Sequence, residues 1–340
     1  MRRLLFIAPS PLGDALLTTG VLRHFIEADH PSAVHIACGA VSAPLFSALT
    51  PHVTVIKKQP YARHWWDLWQ QDAPLRWHRV VDMRGSAFSY TLWARHRHRF
   101  VKPKGFETQH KLKQIAASFG LNPLSMTLGP WYGPQHQAEA APYLGQGPLL
   151  CLAPFATWVG KEWPLERFRE LALRLTDGPL RGGTVVLMGA PNETERVHPF
   201  LADWPADRPL LNLVGRLSLP ALFVVLQNAA LAVCNDSGLM HLAAASGVPT
   251  VGLFGPSPDT IYAPWGPNGH VIRTQEPHEA LITQARAGVG GSLLASLSVD
   301  RVYDDTQTFF TQRKERGDVD KALAFLSRPN GEAPRSDDER

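Results

Sequence analysis

Cysteine is scarce and scattered in this chain. Cys38, Cys151 and Cys234 stand far apart, each in or beside an apolar run, and none has a C-x-x-C partner. That argues against a disulfide scaffold and a thiolate zinc centre. The expectation is buried, reduced thiols in a cytosolic protein. Long apolar runs are missing too. The longest, residues 217–234, is broken by Pro220, Gln227 and Asn228. It falls short of the roughly 18–20 uninterrupted apolar residues that a membrane span needs. The start, MRRLLFIAPSPLGD, has the charged opening of a secretory signal, but Pro9, Pro11 and Asp14 cut its apolar stretch short. It reads better as a first strand.

The usual nucleotide motifs are absent. No G-x-G-x-x-G follows a strand, no P-loop occurs, and no cluster has zinc spacing. D-x-D appears only as Asp318-Val319-Asp320, in the late C-terminal segment, a poor place for a metal–diphosphate site. A strong charge bias is lacking as well. Lys and Arg total 34 against 30 acids, for a net charge of +4 and a pI near 9.0. This suits an anionic ligand or surface and is too mild to point to nucleic acid.

What is present is an alternating pattern. The 340 residues are 44% apolar and 19% charged, enough for two buried cores of roughly 150 residues each. Apolar runs at 4–8, 34–38, 53–56 and 79–83 predict strands, and the spacing of Leu17, Val21 and Phe25 predicts a helix over 15–28. Residues 121–147 are rich in Pro and Gly and read as a domain boundary. A second series then begins, with strands expected at 148–153, 184–189, 211–214, 230–234 and 249–254. Helices are expected near Leu165, from about Glu193, and at 219–228 and 238–246. Near-continuous apolar strands alternating with helices imply parallel sheets covered on both faces. The expectation is an α/β chain with Rossmann-like domains at 1–145 and 146–326, a cleft between them, and a disordered tail at 327–340.

Five stretches carry candidate chemistry. In NDSGLMHLAAASG, Asn235, Asp236 and Ser237 are all suited to capping a helix, and Gly238 lets backbone approach a ligand. Free N–H groups there form an anion site, and His241 lies within the first turn. In APFATWVGKEWPLERF, Lys161 stands on a loop at the carboxyl end of a strand, placed as a point charge for a diphosphate. Glu193 follows the next strand, where an acid often binds ribose hydroxyls, although the helix dipole alone also favours an acid there. Gly13 allows a tight first turn, and Asp14 beside it is either a helix cap or a general base facing the cleft. The run WARHRHRFVKPKGF, with Arg95, Arg97, Arg99, Lys102 and Lys104, and the HWWDLW segment at 64–69 could face an anionic acceptor or phospholipid head groups. Both are equally read as solvated or core-packed elements.

Together these pieces resemble glycosyltransferase family 9, the lipopolysaccharide heptosyltransferases. The matching stretches are SPLGDALLTTGVLR (10–23), VVDMRG (80–85), KEWPLERF (161–168), GAPNETER (189–196), GRLSLPAL (215–222) and NDSGLMHLAAASGVPTVGLFGPS (235–257), in family order. The resemblance implies a GT-B fold, with the acceptor on the first domain and an ADP-sugar donor on the second. It also implies inverting transfer to a lipopolysaccharide core acceptor without a metal or other cofactor. Asp14 matches the catalytic base, with Lys161 aiding catalysis. Thr157 and Lys161 match diphosphate contacts, Glu193 the ribose acid and Leu217 an adenine-pocket residue. Asp236, Ser237, Gly238 and His241 match the donor-binding turn. Gly13, Arg84, Arg95 and Arg97 are the candidate acceptor residues. Ala156 departs from the hydroxyl residue often found in the donor loop. The implied location is cytoplasmic, with peripheral contact at the inner membrane surface. Two other readings remain: a nicotinamide-dependent oxidoreductase, against which the single-glycine first turn argues, and a non-catalytic carbohydrate- or membrane-surface-binding protein.

Overall fold

The computed structural model describes residues 1–57, 63–145, 147–288 and 290–315. The expected tail at 327–340 and Asp318-Val319-Asp320 lie outside the described residues.

Two parallel sheets organise the chain. The first holds β1 (Arg3–Ile7), β2 (Ala33–Cys38), β3 (Val53–Val55), β4 (Trp77–Asp82) and β5 (Ala94–Arg99), in the order β3-β2-β1-β4-β5. Its helices are α1 (Leu12–Asp29), α2 (Arg63–Asp72) and α3 (Lys111–Phe119), while α4 (Pro134–Ala140) packs on the later helix Leu219–Gln227, with Glu139 accepting from Ser218. The second sheet holds β6 (Leu149–Ala153), β7 (Thr184–Leu187), β8 (Leu210–Asn212), β9 (Leu231–Asn235), β10 (Thr250–Phe254) and β11 (Gly269–Arg273), in the order β11-β10-β9-β6-β7-β8. Around it run α5 (Leu165–Asp177), α6 (His198–Ala202), α7 (Leu219–Gln227), α8 (Gly238–Ser246), α9 (Asp259–Tyr262), α10 (His278–Arg286) and α11 (Val299–Glu315).

The apolar runs become strands because both faces find cover. Leu4 and Phe6 of β1 join one buried cluster, and Leu5 and Ile7 join another on the opposite face. In β6 the same division separates Cys151 and Ala153 from Leu150 and Leu152. Leu4 pairs with Val34 on one side and Arg79 on the other, both in parallel register. The first cluster does not stop at the first sheet. It runs through Leu16 and Leu17 of α1 into Leu222 and Phe223 of α7 and Leu242 of α8, ending on Cys151. Apolar burial, the main favourable term in folding, therefore joins the two sheets. All three cysteines are free and buried.

Two expectations change. The basic run at 95–104 begins as a strand, β5, at the edge of the first sheet. Its residues alternate between half-buried His96 and His98 and exposed Arg95, Arg97 and Arg99. Arginines on the outside of an edge strand also discourage pairing with another chain. No continuous helix starts at Glu193. Pro191–Glu193 form one 3₁₀ turn, and α6 begins only at His198.

Candidate active site

In each sheet the strand order reverses direction at one point, between β1 and β4 and between β6 and β9. Ligands of open α/β sheets bind in the crevice outside the carboxyl ends of strands at such points. Asp14 follows β1, Lys161 follows β6, and Asp236 follows β9.

The helix starts meet there. Gly13 lies in the first turn of α1 and Gly238 opens α8. A Cβ at Gly238 would stand 2.8 Å from Cβ of Leu12, and one at Gly13 would stand 2.6 Å from Cδ2 of His241. Only the absence of both side chains lets α1 and α8 approach this closely. Their amino ends thus converge, and each carries partial positive charge and free N–H groups.

Lys161 and Asp236 form the ion pair of the site, with Nζ donating to Oδ2 at 2.7 Å. The pair is held from below by Asn235. Its side-chain oxygen accepts from the Trp163 N–H at 3.0 Å, and its amide donates to the Pro154 carbonyl at 2.6 Å. Asn235 is therefore not a helix cap but a tie between β9 and the loop that carries Lys161. Glu162 secures the same loop by accepting from the Ala156 N–H at 2.8 Å and from Arg196 at 2.5 Å. Ser237 occupies the capping position of α8 in extended geometry, yet its hydroxyl makes no capping bond. Ser237 Oγ and His241 Nδ1 are both buried without a hydrogen-bond partner among the described residues. Unpaired buried polar atoms are costly, and two of them stand at this one helix start. Burial pushes the His241 imidazole down to about 4, so it is neutral near pH 7.

Asp14 is not a helix cap either, because Pro11 holds that position. The Asp14 carboxylate is half-buried. Burial raises its pKa above the ordinary aspartate value. Lys111 pulls it back, Asp236 adds to the rise, and Lys161 again lowers it. Asp14 thus lies in the electrostatic field of the Lys161–Asp236 pair, across the line between the sheets.

The profile of glycosyltransferase family 9 (heptosyltransferase) matches residues 90–287. The chain belongs to glycosyltransferase family 9. Lipopolysaccharide heptosyltransferase 2 of Escherichia coli K12 is 30% identical over 171 residues, covering 49% of this chain and 48% of that protein. The chain aligns with less than half the length of the curated relatives it matches. Among solved structures, a family 9 glycosyl transferase from Veillonella parvula superposes with a TM-score of 0.74 at 19% identity, over 92% of this chain and 98% of that one. The Escherichia coli ADP-heptose lps heptosyltransferase II superposes at 0.70 with 22% identity, over 92% and 100%. The fold is GT-B.

The remaining candidates of this family 9 chain fall into two groups. Thr157 is exposed on the Lys161 loop. Glu193 and half-buried Leu217 lie on neighbouring loops after β7 and β8, joined where Gly215 N–H donates to the Gly189 carbonyl at 3.1 Å. Glu193 accepts from the Ala190 N–H at 2.7 Å, and burial raises its carboxyl above the usual glutamate value. These residues share the carboxyl end of the second sheet. Arg84 donates to the Ala8 carbonyl and to Ser10 Oγ, both at 2.9 Å, and so shapes the turn before Asp14. Arg95 and Arg97 are not gathered into the site. They sit on the outer face of β5, where Arg97 donates to the Ser89 and Leu92 carbonyls.

Sequence reasoning missed three residues. Tyr262 of α9 has its phenol pKa raised by burial and by the charges of Asp14 and Asp236. Lys111 opens α3 and acts on Asp14. His110 caps α3, its Nδ1 accepting from the Leu112 N–H at 3.1 Å, while its other ring nitrogen bonds the Ala263 carbonyl at 2.9 Å. Long-range packing brings all three in, and no local motif marks them.

Proposed function

We propose that this chain transfers a heptose from ADP-heptose to a lipopolysaccharide core sugar, with inversion and without a divalent metal. The observation that carries the reading is the meeting of the α1 and α8 starts, which gathers Asp14, the Lys161–Asp236 pair and the unpaired Ser237 Oγ and His241 Nδ1. The names of relatives support the donor and the acceptor: ADP-heptose in one names the donor, and lipopolysaccharide heptosyltransferase in the other points to the acceptor.

In the reaction the acceptor hydroxyl gives its proton to the Asp14 carboxylate while its oxygen forms a bond to the anomeric carbon. The bond from that carbon to the diphosphate oxygen breaks, and its electron pair leaves with ADP. Attack from the face opposite the leaving group inverts the configuration. The raised pKa of Asp14 makes it a stronger base than an exposed aspartate. Lys161 and the N–H groups of α8 stabilise charge developing on the diphosphate, as preorganised donors do. Asp236 holds Lys161, and His241 and Ser237 can donate to the phosphates. Glu193 and Leu217 serve the ribose and adenine, and Thr157 the diphosphate. Arg84 and Gly13 shape the acceptor side. The reaction is placed at the cytoplasmic face of the inner membrane. No helix among the described residues is long and apolar enough to cross a membrane.

The test is ADP release from ADP-heptose, with and without truncated lipopolysaccharide acceptors, in the presence of EDTA. Acceptor-dependent ADP release supports the reading. Preference for UDP- or GDP-sugars would sink the heptose assignment, and loss of turnover in EDTA would sink the metal-free mechanism.

A further inference from the structure

One face of the first sheet carries more exposed aromatic surface than solubility explains. Trp93 is 70% exposed, Tyr90 64% and Trp66 58%. They come from three adjoining pieces: β5 and the residue before it, the 3₁₀ turn Phe88–Thr91, and α2. Trp66 stacks on Trp69 at 5.1 Å. Beside Trp69 and Trp93 opens a hollow of about 520 Å³ whose lining includes Leu92, Ala94 and Arg97.

The same face is basic. The Arg76 guanidinium lies 5.2 Å from the Trp93 ring and that of Arg99 lies 6.0 Å from Tyr90. Arg95 is exposed on β5 and Arg63 on α2, Lys102 and Lys104 are exposed in the segment after β5, and Asp67 is an exposed acid on α2. Tryptophan and tyrosine are enriched at membrane–water interfaces, where an apolar ring with a polar edge suits the headgroup layer. Arginines around them attract anionic lipid. Aromatic and cationic side chains on one face are the complement of an anionic bilayer.

The face is continuous with the site. Arg84 lies over the Trp65 ring of α2 at 5.7 Å and also bonds Ala8 and Ser10, the turn that leads to Asp14. β5 stands two strands from β1, roughly 10 Å at the usual strand spacing.

We propose that Trp66, Tyr90, Trp93, Arg76, Arg95 and Arg99 form a docking face for anionic phospholipid bilayers. The face seats the first domain on the membrane so that a lipid-borne acceptor is presented to Asp14. The docking itself stands on these residues alone, and only the presentation of acceptor rests on the glycosyl-transfer reading.

The experiment is co-sedimentation of the full chain with vesicles of phosphatidylcholine alone and of phosphatidylcholine mixed with phosphatidylglycerol. ADP binding and thermal unfolding are measured alongside. Wild type is expected to sediment with the anionic vesicles, less so as salt rises, and to ignore the neutral ones. Trp66→Ser/Trp93→Ser/Arg95→Glu/Arg99→Glu is expected to lose at least about tenfold in vesicle affinity, since each surface cation contributes several-fold. Its ADP affinity and unfolding temperature should match wild type. Arg95→Glu/Arg99→Glu, which alters solvent-facing arginines alone, should lose a smaller part and guards against misfolding of the fourfold variant. Wild type that ignores anionic vesicles, or folded variants that bind as wild type does, would overturn the proposal. So would variants that keep vesicle binding but lose turnover on a soluble acceptor, because the face would then be a saccharide site. Vesicle binding by wild type that is lost in the variants, with no ADP-heptose turnover, supports the docking face and removes the transferase reading instead.

Discussion

His241 packs against the bare backbone of Gly13, with 2.6 Å between its Cδ2 and the place a Cβ would take. The contact joins the first turn of α1 to the first turn of α8. Gly13→Ala should therefore destabilise by about 1–3 kcal/mol, the usual cost of overpacking a core contact. Thermal unfolding measures this. Adding His241→Ala should return part of the loss, a coupling that a double-mutant cycle would reveal.

Asp14→Asn keeps the shape of the side chain and removes the base. Turnover with acceptor should fall roughly a hundredfold or more, while ADP affinity by calorimetry stays near wild type. An unchanged rate would end the assignment of Asp14 as base.

Lys161→Met leaves Asp236, whose side chain is 8% exposed, without its cation. The kcat should drop roughly a hundredfold, as when one preorganised donor to a developing oxyanion is lost. ADP should also bind more weakly. Asn235→Ala should show a smaller fall of the same kind, because it frees the loop that aims Lys161.

His241 is neutral in the fold, its pKa lowered by burial to about 4 from an ordinary 6.5. Its contribution to stability is complete above pH 6.5. It is lost as pH falls from there towards about 4, because the unfolded chain takes up a proton that the fold excludes. The slope reaches at most about 1.4 kcal/mol per pH unit from this one group. Denaturant unfolding across that window should show the decline, and His241→Gln should flatten it.

Asp72 works in the opposite direction. Burial pushes its carboxyl up to about 7, and its Oδ2 has no hydrogen-bond partner among the described residues. The fold holds this acid more easily protonated, so stability falls as pH rises from 3.8 to about 7 and stays reduced above that. Asp72→Asn should be more stable than wild type at pH 8 and lose that advantage near pH 4. A variant less stable at pH 8 would contradict the account.

Much of the fold is written locally. β1, β2, β4, β6, β9 and β10 are apolar runs that fall within a residue or two of the strands observed, and α8 starts where Ser237-Gly238 stops the strand. Lys161 and Asp236 are legible as candidates because each follows such a run. β5 was harder to see, although its arginines and histidines alternate with the strand period of two; charge masked the pattern. Asn235 looked like a cap because its residue type is right for one. Its actual partners, Trp163 and Pro154, are more than 70 positions away in the sequence. Lys111 and Tyr262 reach the site by the same distant packing, and no spacing within their own segments announces it.

Were the two sheets to move relative to each other, the close approach of α1 and α8 at Gly13 and Gly238 would be the fulcrum. Motion between the two halves is smallest at a pivot and grows with distance from it. A chain hinged there would keep Asp14 and the start of α8 in nearly constant separation while the outer parts of the two sheets swing apart. Substrates would enter from the rim, and the reacting atoms would meet in the part of the molecule that moves least.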